Sequence, residues 1–264
     1  MEVLMNYAPG FDPRPAALRL ANAWARGAVL EGLPENERPR SIQDGYAVQI
    51  EVQRMLDEPL AGYKLGMSSV AGMRASGIGR PAWGFMTKPR VHRNTACLPA
   101  PPSGNILMEL EVCFRLGDKV PAAGATPAQK LASVECAYVG FEIVSSRFAD
   151  RLVHGVPSFL ADDVGFCAYV IGDEIDRSDW LATFAAPAVI NLDGERYCEN
   201  AQAEARTDPV EALSLFIDEA ASTGLPLRPG MLITTGNLVA SKESPSKGFF
   251  AGRLASHCVG CTIE

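Results

Sequence analysis

The chain has 264 residues, of which 47% are hydrophobic and 21% are charged, a balance that excludes a disordered protein and predicts a sizeable core. Its 31 acidic residues outnumber 24 basic ones, and the net charge of −7 disfavours nucleic acid as a partner. Residues 1–6 lack the features of a secretion signal, and no later apolar run is long enough to span a membrane. The sequence therefore predicts a cytoplasmic protein without a membrane-embedded part.

Seven cysteines are spread along the chain without the spacing of a disulfide framework, which predicts reduced thiols. A single C-x-x-C pattern joins Cys258 to Cys261 within a predicted C-terminal strand. Successive side chains of a strand point to opposite faces, so a separation of three residues places the two thiols on opposite sides. We therefore interpret them as packing residues rather than as a zinc-binding or redox pair.

Two helices are predicted near the N-terminus. Asp12 and Pro13 are favourable residues for a helix start, and apolar residues then recur at helical spacing as far as about Gly27. Residues 41–44 resemble a capping box, and an apolar stripe follows them. We predict that residues 1–60 form a small helical region that precedes the main core.

Residues 61–264 consist mainly of short apolar runs punctuated by Gly, Ser and Pro, a pattern typical of strands and loops. A capping box predicts one helix over residues 126–136, and cap residues predict a second over residues 208–224. The Asp-Gly pair at residues 193–194 predicts a hairpin turn. Together these features predict an α+β protein with a strand-dominated, mixed core.

Residues 107–116 alternate between an apolar and a polar series, as expected of a strand with two different faces. Glu109 and Glu111 both belong to the polar series and must project from the same side. Two carboxylates roughly 7 Å apart along a strand are well placed to bind adjacent positions of a hard cation. An edge strand with a solvated charged face would give the same pattern, and this segment alone favours that interpretation.

Glu142 lies within residues 138–144, which are otherwise typical of a fully buried strand. A buried carboxylate needs a nearby cation or a strong hydrogen-bond network, because an unpaired charge is costly to bury. One hypothesis is a metal ion shared with the two glutamates of the preceding strand, and the alternative is an ion pair with Arg147 or Lys64. Three carboxylates with no histidine nearby in the sequence favour Mg²⁺ or Mn²⁺ over zinc.

Residues 62–69 indicate a short strand that leads into a turn rich in glycine and serine, a backbone suited to binding an anion. Lys64 lies among apolar and small residues, where a lysine can hold a carboxylate or move a proton. We predict Lys64 as the catalytic residue and Ser68 and Ser69 as substrate-binding residues. Arg147 is either a further anion-binding residue or a salt-bridge residue.

Several motifs together resemble the hydratase and decarboxylase branch of the fumarylacetoacetate hydrolase superfamily, over roughly residues 40–240. The motifs are G-Y-K-L-G from residue 62, M-E-L-E from residue 108, E-I-V-S-S-R from residue 142, L-A-D-D from residue 160, L-R-P-G from residue 227, and Thr235 with Gly236. The resemblance implies a β-roll or barrel-like core, an oligomer, and Mg²⁺ or Mn²⁺ on the three glutamates. It also implies that Lys64 is the substrate-site lysine and that Thr235 and Gly236 contribute to substrate binding. The substrates it implies are acids such as 2-hydroxypenta-2,4-dienoate or 2-oxohex-3-enedioate.

The chain departs from the pattern of the family's hydratases at residues 81–85. Those hydratases have an aspartate after the proline, whereas this chain has Ala82, which is closer to the decarboxylases. Met231 also stands where an aspartate is usual, and the C-terminal glycine-rich pattern is poorly kept. No histidine precedes His92, which disfavours the hydrolysis reaction of other members of the superfamily.

The mechanistic hypothesis is that the metal ion binds the 1-carboxylate and 2-oxo oxygens of the substrate and stabilises an enolate. If water adds after the enolate forms, the protein is a 2-keto-4-pentenoate hydratase, which is the first expectation. Loss of a terminal carboxylate describes a 4-oxalocrotonate decarboxylase, which is the alternative, and a non-catalytic partner subunit is a third hypothesis. We expect a homo-oligomer that binds a small 2-oxo acid, or a complex with a related hydratase or decarboxylase.

Overall fold

The structure is a computed structural model that describes residues 10–120, 124–152 and 154–264. Its strands are β1 (Leu60–Gly66), β2 (Ala82–Thr87), β3 (Val91–Arg93), β4 (Ala96–Leu98), β5 (Asn105–Leu116), β6 (Val134–Val144), β7 (Phe166–Ile175), β8 (Ala188–Leu192), β9 (Glu195–Glu199), β10 (Leu232–Thr234), β11 (Glu243–Pro245), β12 (Gly248–Leu254) and β13 (His257–Ile263). Its α-helices are α1 (Arg14–Arg26), α2 (Ile42–Leu56), α3 (Val70–Ser76), α4 (Pro127–Ala132), α5 (Gly155–Ala161), α6 (Trp180–Ala185) and α7 (Pro209–Thr223). Residues 1–6, where the sequence predicts no secretion signal, lie outside the described residues.

Two β-sheets form the centre of the fold. The larger sheet has the strand order β2-β1-β10-β5-β6-β7-β3, and β11 pairs with a further part of β5. The smaller sheet has the order β4-β13-β12-β8-β9. The larger sheet is mixed, because β1 and β10 are parallel whereas β5 and β6 are antiparallel along most of their length. The predicted α+β, strand-dominated fold is confirmed.

The two faces of β5 lie in different environments, as its alternating sequence predicts. Leu110 and Phe114 belong to the main hydrophobic core, whereas Cys113 belongs to a separate cluster on the other face. Gly252 of the smaller sheet lies directly against β5, since an added Cβ would come within 2.6 Å of the Leu110 side chain. The smaller sheet therefore covers the apolar face of β5, and the opposite face carries the glutamates.

Three local features that the sequence predicts are confirmed. The capping box of Ser41 and Asp44 opens α2. The side chain of Asp208 caps α7, which ends at Gly224 in a left-handed conformation. Residues 193–194 form the turn between the paired strands β8 and β9. Each feature depends on residues close together in the chain, so local preferences are sufficient to determine it.

The helix predicted over residues 126–136 is too long. Thr126 caps α4 as expected, but the helix ends at Ala132, and Cys136 lies in β6. From Val134 onward the chain pairs with β5. The hydrogen bonds of this long-range ladder outweigh the local helical tendency of the segment.

The core region contains more helices than the sequence predicts. Two are predicted in residues 61–264, whereas the described part of this region has five, α3 to α7. The additional helices α3, α5 and α6 have six or seven residues each, so they are too short to produce an apolar periodicity. None of the helices in the described residues is long and apolar enough to cross a membrane.

The N-terminal helices pack directly on the rest of the molecule. Residues of α1, α2 and α5, among them Leu20, Val48 and Ala161, share one hydrophobic cluster. The ring of Tyr46 in α2 also stacks on Trp83 of β2, with ring centroids 4.4 Å apart. The division of the chain into residues 1–60 and 61–264 stays a prediction, and α2 is in contact with both parts.

The C-x-x-C pair lies in β13 on opposite faces, as predicted. Cys258 is exposed, whereas Cys261 is buried in the main core. Both are free thiols. The interpretation as packing residues therefore fits Cys261 but not Cys258.

Candidate active site

Three glutamates meet on one face of the larger sheet. In the ladder between β5 and β6, Glu109 pairs directly with Glu142, and Glu111 pairs with Gly140. Residues of paired strands that lie opposite each other project to the same face, so all three carboxylates share one side. One carboxylate oxygen from each lies within 4.8 Å of the others. Glu109, Glu111 and Glu142 are called the carboxylate cluster below.

The glycine beside the carboxylate cluster makes room for a buried phenol. An added Cβ at Gly140 would lie 2.3 Å from the hydroxyl oxygen of Tyr169. Tyr169 in β7 pairs with Glu142, which brings its ring to the same face of the sheet. Burial, followed by the neighbouring Cys113 and Glu111, raises the pKa of Tyr169 well above its ordinary value. The phenol therefore stays neutral beside the carboxylates.

The carboxylate cluster carries more negative charge than the surrounding protein neutralises. Glu111 and Glu142 are fully buried, and within the described residues their carboxylate oxygens have no hydrogen bond of ordinary geometry apart from the ion-pair contact of Glu142 with Lys64. Lys64 supplies one positive charge, with its Nζ 2.7 Å from Oε1 of Glu142. Buried carboxylates that lack partners are costly. Oxygen donors with unmatched negative charge fit a divalent cation.

Burial raises the pKa of both carboxyl groups on β5. For Glu109, burial and then the charge of Glu142 raise the pKa to about 7. For Glu111, burial and then the charges of Glu142 and Glu109 raise the pKa well above its ordinary value. A cation favours the ionised form of a neighbouring carboxyl group. We therefore expect metal binding to displace protons from the carboxylate cluster.

A strained segment holds Lys64 in place. The lysine Nζ donates a hydrogen bond of 2.8 Å to the carbonyl oxygen of Val164. Asp163 and Val164 both have φ angles of 54°, a region that a β-branched residue rarely adopts. A Cβ at Gly66 would lie 2.8 Å from the side chain of Val164, so the glycine permits this close approach. The unusual backbone thus brings the Val164 carbonyl within reach of the lysine.

A cavity of about 300 Å³ opens beside Lys64 and Glu109. The turn after β1, the residues around α5 and the segment after β10 form its other walls. Its lining in the described residues is charged at Lys64, Glu109 and Arg151, and much of the remainder is apolar, including Leu107 and Phe159. A cavity with charged groups and an apolar wall suits a small organic acid.

The two predicted substrate-binding serines both line this cavity. The hydroxyl of Ser68 donates a hydrogen bond of 2.7 Å to the carbonyl oxygen of Thr235. The hydroxyl of Ser69 accepts a hydrogen bond from the N–H of Gly72 and caps α3. The structure therefore brings both serines to the cavity, and their contact with a substrate stays a prediction.

Thr235 and Gly236 lie behind Ser68 rather than in the cavity lining. The hydroxyl of Thr235 donates to the carbonyl oxygen of Val112. Gly236 has a φ of 99°, and an added Cβ would lie 1.9 Å from Oγ of Ser68. Both residues therefore pack against Ser68 and support it from behind.

Arg147 lies in a separate buried network. Its Nε donates to Oδ1 of Asp162 at 2.5 Å, and its backbone N–H donates to Oδ2 at 3.0 Å. Its Nη1 donates to the carbonyl oxygen of Phe166, and its Cζ lies 4.1 Å from the ring centroid of Trp24. Arg147 is not part of the cavity lining. The alternative in which Arg147 pairs with Glu142 is wrong, because its partner is Asp162.

Sequence reasoning missed several residues of the cavity lining, among them Arg151, Phe159 and Asn237. They lie in loops or in a short helix, where no periodic pattern marks them. The one usable signal is that Arg151 and Phe159 fall between two of the motifs, at residues 142–147 and 160–163. Their approach to the glutamates of β5 depends on how the segments fold over the sheet.

Comparison with known proteins gives hydratases and a decarboxylase as relatives. No protein-family model matches the sequence. The 2-hydroxyhexa-2,4-dienoate hydratase of Comamonas testosteroni is 24% identical, covering 83% of this chain and 85% of the relative. The 2-keto-4-pentenoate hydratase of Paraburkholderia xenovorans is 26% identical, covering 84% of each chain. A 4-oxalocrotonate decarboxylase of a Pseudomonas species is 27% identical, covering 68% of this chain and 69% of the relative.

Solved structures share the fold. The 4-oxalocrotonate decarboxylase of Pseudomonas putida G7, complexed with calcium and acetate, aligns with a TM-score of 0.85 at 18% identity. The alignment covers 98% of this chain and 100% of that one, and a magnesium and adipate complex of the same enzyme gives 0.84. A fumarylpyruvate hydrolase of Pseudomonas aeruginosa, complexed with Mn²⁺ and pyruvate, aligns with a TM-score of 0.56 and 18% identity over 76% of this chain and 88% of that one.

The chain has the fold of the 4-oxalocrotonate decarboxylase and of the fumarylpyruvate hydrolase, as the motifs predict. Its relatives in sequence are hydratases of 2-hydroxydienoates or 2-keto-4-pentenoate and a 4-oxalocrotonate decarboxylase, as the motifs predict. Hydratases and decarboxylases of this kind are lyases. The prediction of a lyase is therefore confirmed.

Proposed function

We propose that this chain is a divalent-metal-dependent lyase that acts on a small 2-oxo acid and that the carboxylate cluster binds the metal. The observation that carries the proposal is the convergence of three carboxylates, two of them fully buried, beside the single charge of Lys64. The calcium, magnesium and Mn²⁺ complexes of the structural neighbours support a divalent cation. Oxygen ligands alone favour Mg²⁺ or Mn²⁺ over zinc.

A bound cation would act as a Lewis acid toward the 1-carboxylate and 2-oxo oxygens of the substrate and so favour its enolate form. Lys64 lines the cavity while Glu142 and the carbonyl of Val164 fix its Nζ. An ammonium group has three N–H donors, so one remains to hold the substrate carboxylate or to carry a proton. Lys64 is thus proposed as the catalytic residue.

The remaining walls of the cavity orient the substrate. Ser68 and Ser69 lie next to Lys64 in the lining and are proposed to bind the carboxylate end. Leu107 and Phe159 offer an apolar surface to the carbon chain. An apolar wall excludes water, which strengthens the electrostatic contacts at the charged end of the cavity.

Hydration of a 2-hydroxydienoic acid is the first candidate reaction. Hydratases of 2-hydroxydienoates or 2-keto-4-pentenoate align with more than four fifths of the chain. In this reaction the enolate is protonated along the carbon chain and water adds to the resulting double bond. The proposed product is a 4-hydroxy-2-oxo acid.

Decarboxylation of a 2-oxo dicarboxylic acid is the second candidate, and the observation that favours it is Ala82. This residue is fully buried and pairs with Gly66, two residues from Lys64 along β1. An alanine at this position cannot act as an acid or base. Loss of CO₂ needs no group to activate water, so the alanine is compatible with it.

Solvent deuterium exchange at C3 of a 2-oxo acid, followed by NMR, tests the shared enolisation step. We expect EDTA to abolish exchange and Mg²⁺ or Mn²⁺ to restore it, because the cation supplies the charge that favours the enolate. Lys64→Met is expected to lower the rate about 10²- to 10⁴-fold. Comparing water addition to 2-hydroxypenta-2,4-dienoate with CO₂ release from 2-oxohex-3-enedioate then distinguishes the two candidate reactions.

Glu135→Gln is the matched control, because Glu135 is an exposed glutamate of β6 that pairs with Arg115. We expect it to exchange at the wild-type rate. Full exchange in the chelated protein would remove the metal from the mechanism. No exchange in the metal-loaded wild type would instead favour a non-catalytic partner subunit.

A further inference from the structure

Arg151 adds a positive charge to the cavity that the proposed mechanism does not use. It lies in the turn between β6 and α5 and lines the cavity together with Lys64 and Glu109. Lys64 is in contact with Glu142, so its charge is shared with the carboxylate cluster. Arg151 is therefore the cation of the lining that is available to a second negative group of the substrate.

The side chain of Arg151 stands at the junction of two cavities. A neighbouring cavity of about 320 Å³ shares Leu107, Val144, Arg151 and Leu152 with the first. Leu107, Val144 and Leu152 make the rest of this shared lining apolar. The arrangement offers a cation for the far end of an extended acid whose first carboxylate is held near Lys64.

Glu243 is the partner of Arg151 in the structure. Nη1 of Arg151 lies 2.6 Å from Oε1 of Glu243, and the two side chains are 32% and 55% exposed. Such a pair contributes little to stability, because solvent screens it. A guanidinium has five N–H donors, so Arg151 has donors left for a second carboxylate, which competes with Glu243 for the positive charge.

We propose that Arg151 is a specificity-determining residue that binds a second carboxylate, so that the site prefers 2-oxo dicarboxylic acids over monocarboxylic acids of the same length. The inference rests on the proposed function; it agrees with decarboxylation of a 2-oxo dicarboxylic acid, and for hydration it requires a substrate that carries a second carboxylate. Glu243 holds the guanidinium at the cavity and competes with the incoming carboxylate for it. Arginine suits this role because its planar group binds carboxylates through two parallel hydrogen bonds.

Calorimetric titration of the Mg²⁺-loaded protein with 2-oxohexanedioate and with 2-oxohexanoate tests the inference. The two probes have the same chain length and differ in the terminal carboxylate. We expect Arg151→Gln to weaken binding of the dicarboxylate about tenfold, as loss of a charge-assisted hydrogen bond implies, and to leave the monocarboxylate unchanged. Arg151→Lys keeps the charge without the planar group and should give an intermediate loss.

Glu243→Gln separates this role from that of a surface ion pair. If Glu243 competes with substrate for Arg151, its neutralisation should tighten dicarboxylate binding several-fold, the opposite of Arg151→Gln. If the pair has a structural role alone, both variants should change binding in the same direction. Arg196→Gln is the matched control, because Arg196 pairs with Glu199 on the surface of β9 and does not line the cavity.

Two further outcomes would overturn the proposal in distinguishable ways. Equal weakening of both probes by Arg151→Gln would overturn the specificity role and leave the proposed function intact. Failure of the wild type to bind either probe in the presence of Mg²⁺ would overturn the proposed function and this inference with it. Thermal melts of each variant check that folding is unchanged.

Discussion

Two buried ion pairs among the described residues differ in how completely their charges and hydrogen bonds are satisfied. In the Arg147 network, Asp162 accepts hydrogen bonds from the guanidinium, from the Arg147 backbone and from the hydroxyl of Ser146. In the other pair, Lys64 contacts Glu142, but Glu109 and Glu111 add charge that no described residue neutralises. The charges of the Arg147 network are matched without a ligand, whereas those of the carboxylate cluster are not.

This difference teaches that a buried ion pair by itself says little about function. The Arg147 network lies outside the lining of the cavity beside Lys64, and its hydrogen bonds join the end of β6 to Asp162 at the end of α5. Lys64 and Glu109 line a cavity and belong to the site with unmatched charge. Buried polar groups without partners are rare in folded proteins, and each one needs a specific explanation. The proposed cation is that explanation for the carboxylate cluster.

The largest expected effect on stability is at the ion pair of Arg147 and Asp162. Arg147→Met leaves the buried carboxylate of Asp162 without its cation and should lower the free energy of unfolding by roughly 3–5 kcal/mol, with or without metal. Urea denaturation in EDTA and in Mg²⁺ measures this. Arg151→Met at the part-exposed pair is the control and should change stability by less than about 1 kcal/mol. A loss at Arg147 as small as that of the control would contradict a structural role.

The carboxylate cluster should respond in the opposite way. Glu111→Gln removes a charge that has no cation partner in the protein, so stability in EDTA should stay unchanged or rise. The wild type should gain about 2.7 kcal/mol when Mg²⁺ is at 100 times its Kd, and the variant should lose most of that gain. Thermal melts with EDTA and with Mg²⁺ measure both effects. A large loss of stability of the variant in EDTA, with no metal-dependent shift in the melting temperature of the wild type, would contradict the metal site.

Asp163 lies in the chain between Asp162 of the Arg147 network and Val164, which contacts Lys64. Its substitution should have a smaller, pH-dependent effect on stability. Burial raises its pKa from 3.8 to about 7, so between these values the folded protein binds more protons than the unfolded chain. Its contribution to stability is therefore present at low pH and is lost as the pH rises toward 7. As the pH rises from 5 to 8, the free energy of unfolding of Asp163→Asn should rise by roughly 1–2 kcal/mol relative to that of the wild type. The asparagine oxygen can still accept the hydrogen bond from the N–H of Phe85.

Denaturant unfolding in EDTA at several pH values checks this expectation. Glu109 also has a pKa of about 7, and it affects the wild type and the variant alike, so the difference between them isolates Asp163. A constant difference from pH 5 to pH 8 would show that Asp163 does not titrate in this range. The contrast between the Arg147 network and the carboxylate cluster would then depend on Arg147→Met and Glu111→Gln alone.

Sequence patterns predict much of the local structure and part of the candidate site. The alternation in β5 predicts that Glu109 and Glu111 share a face, and the apolar surroundings of Glu142 predict its burial. Both are observed. The end of α4 and the three short helices escape prediction, because pairing between distant segments or a length of about two turns decides them.

The sequence by itself determined which groups are chemically available: three carboxylates on strands, Lys64 in a short strand, and serines in the turn that follows. Only the tertiary structure decided which of them meet. The register of β5 and β6 places Glu109 opposite Glu142, and the left-handed backbone at Val164 brings a carbonyl to Lys64. The same folding pairs Arg147 with Asp162 and carries Arg151 to the cavity. Side-chain charge and strand periodicity are local properties, whereas the choice of partner depends on contacts between segments far apart in the chain.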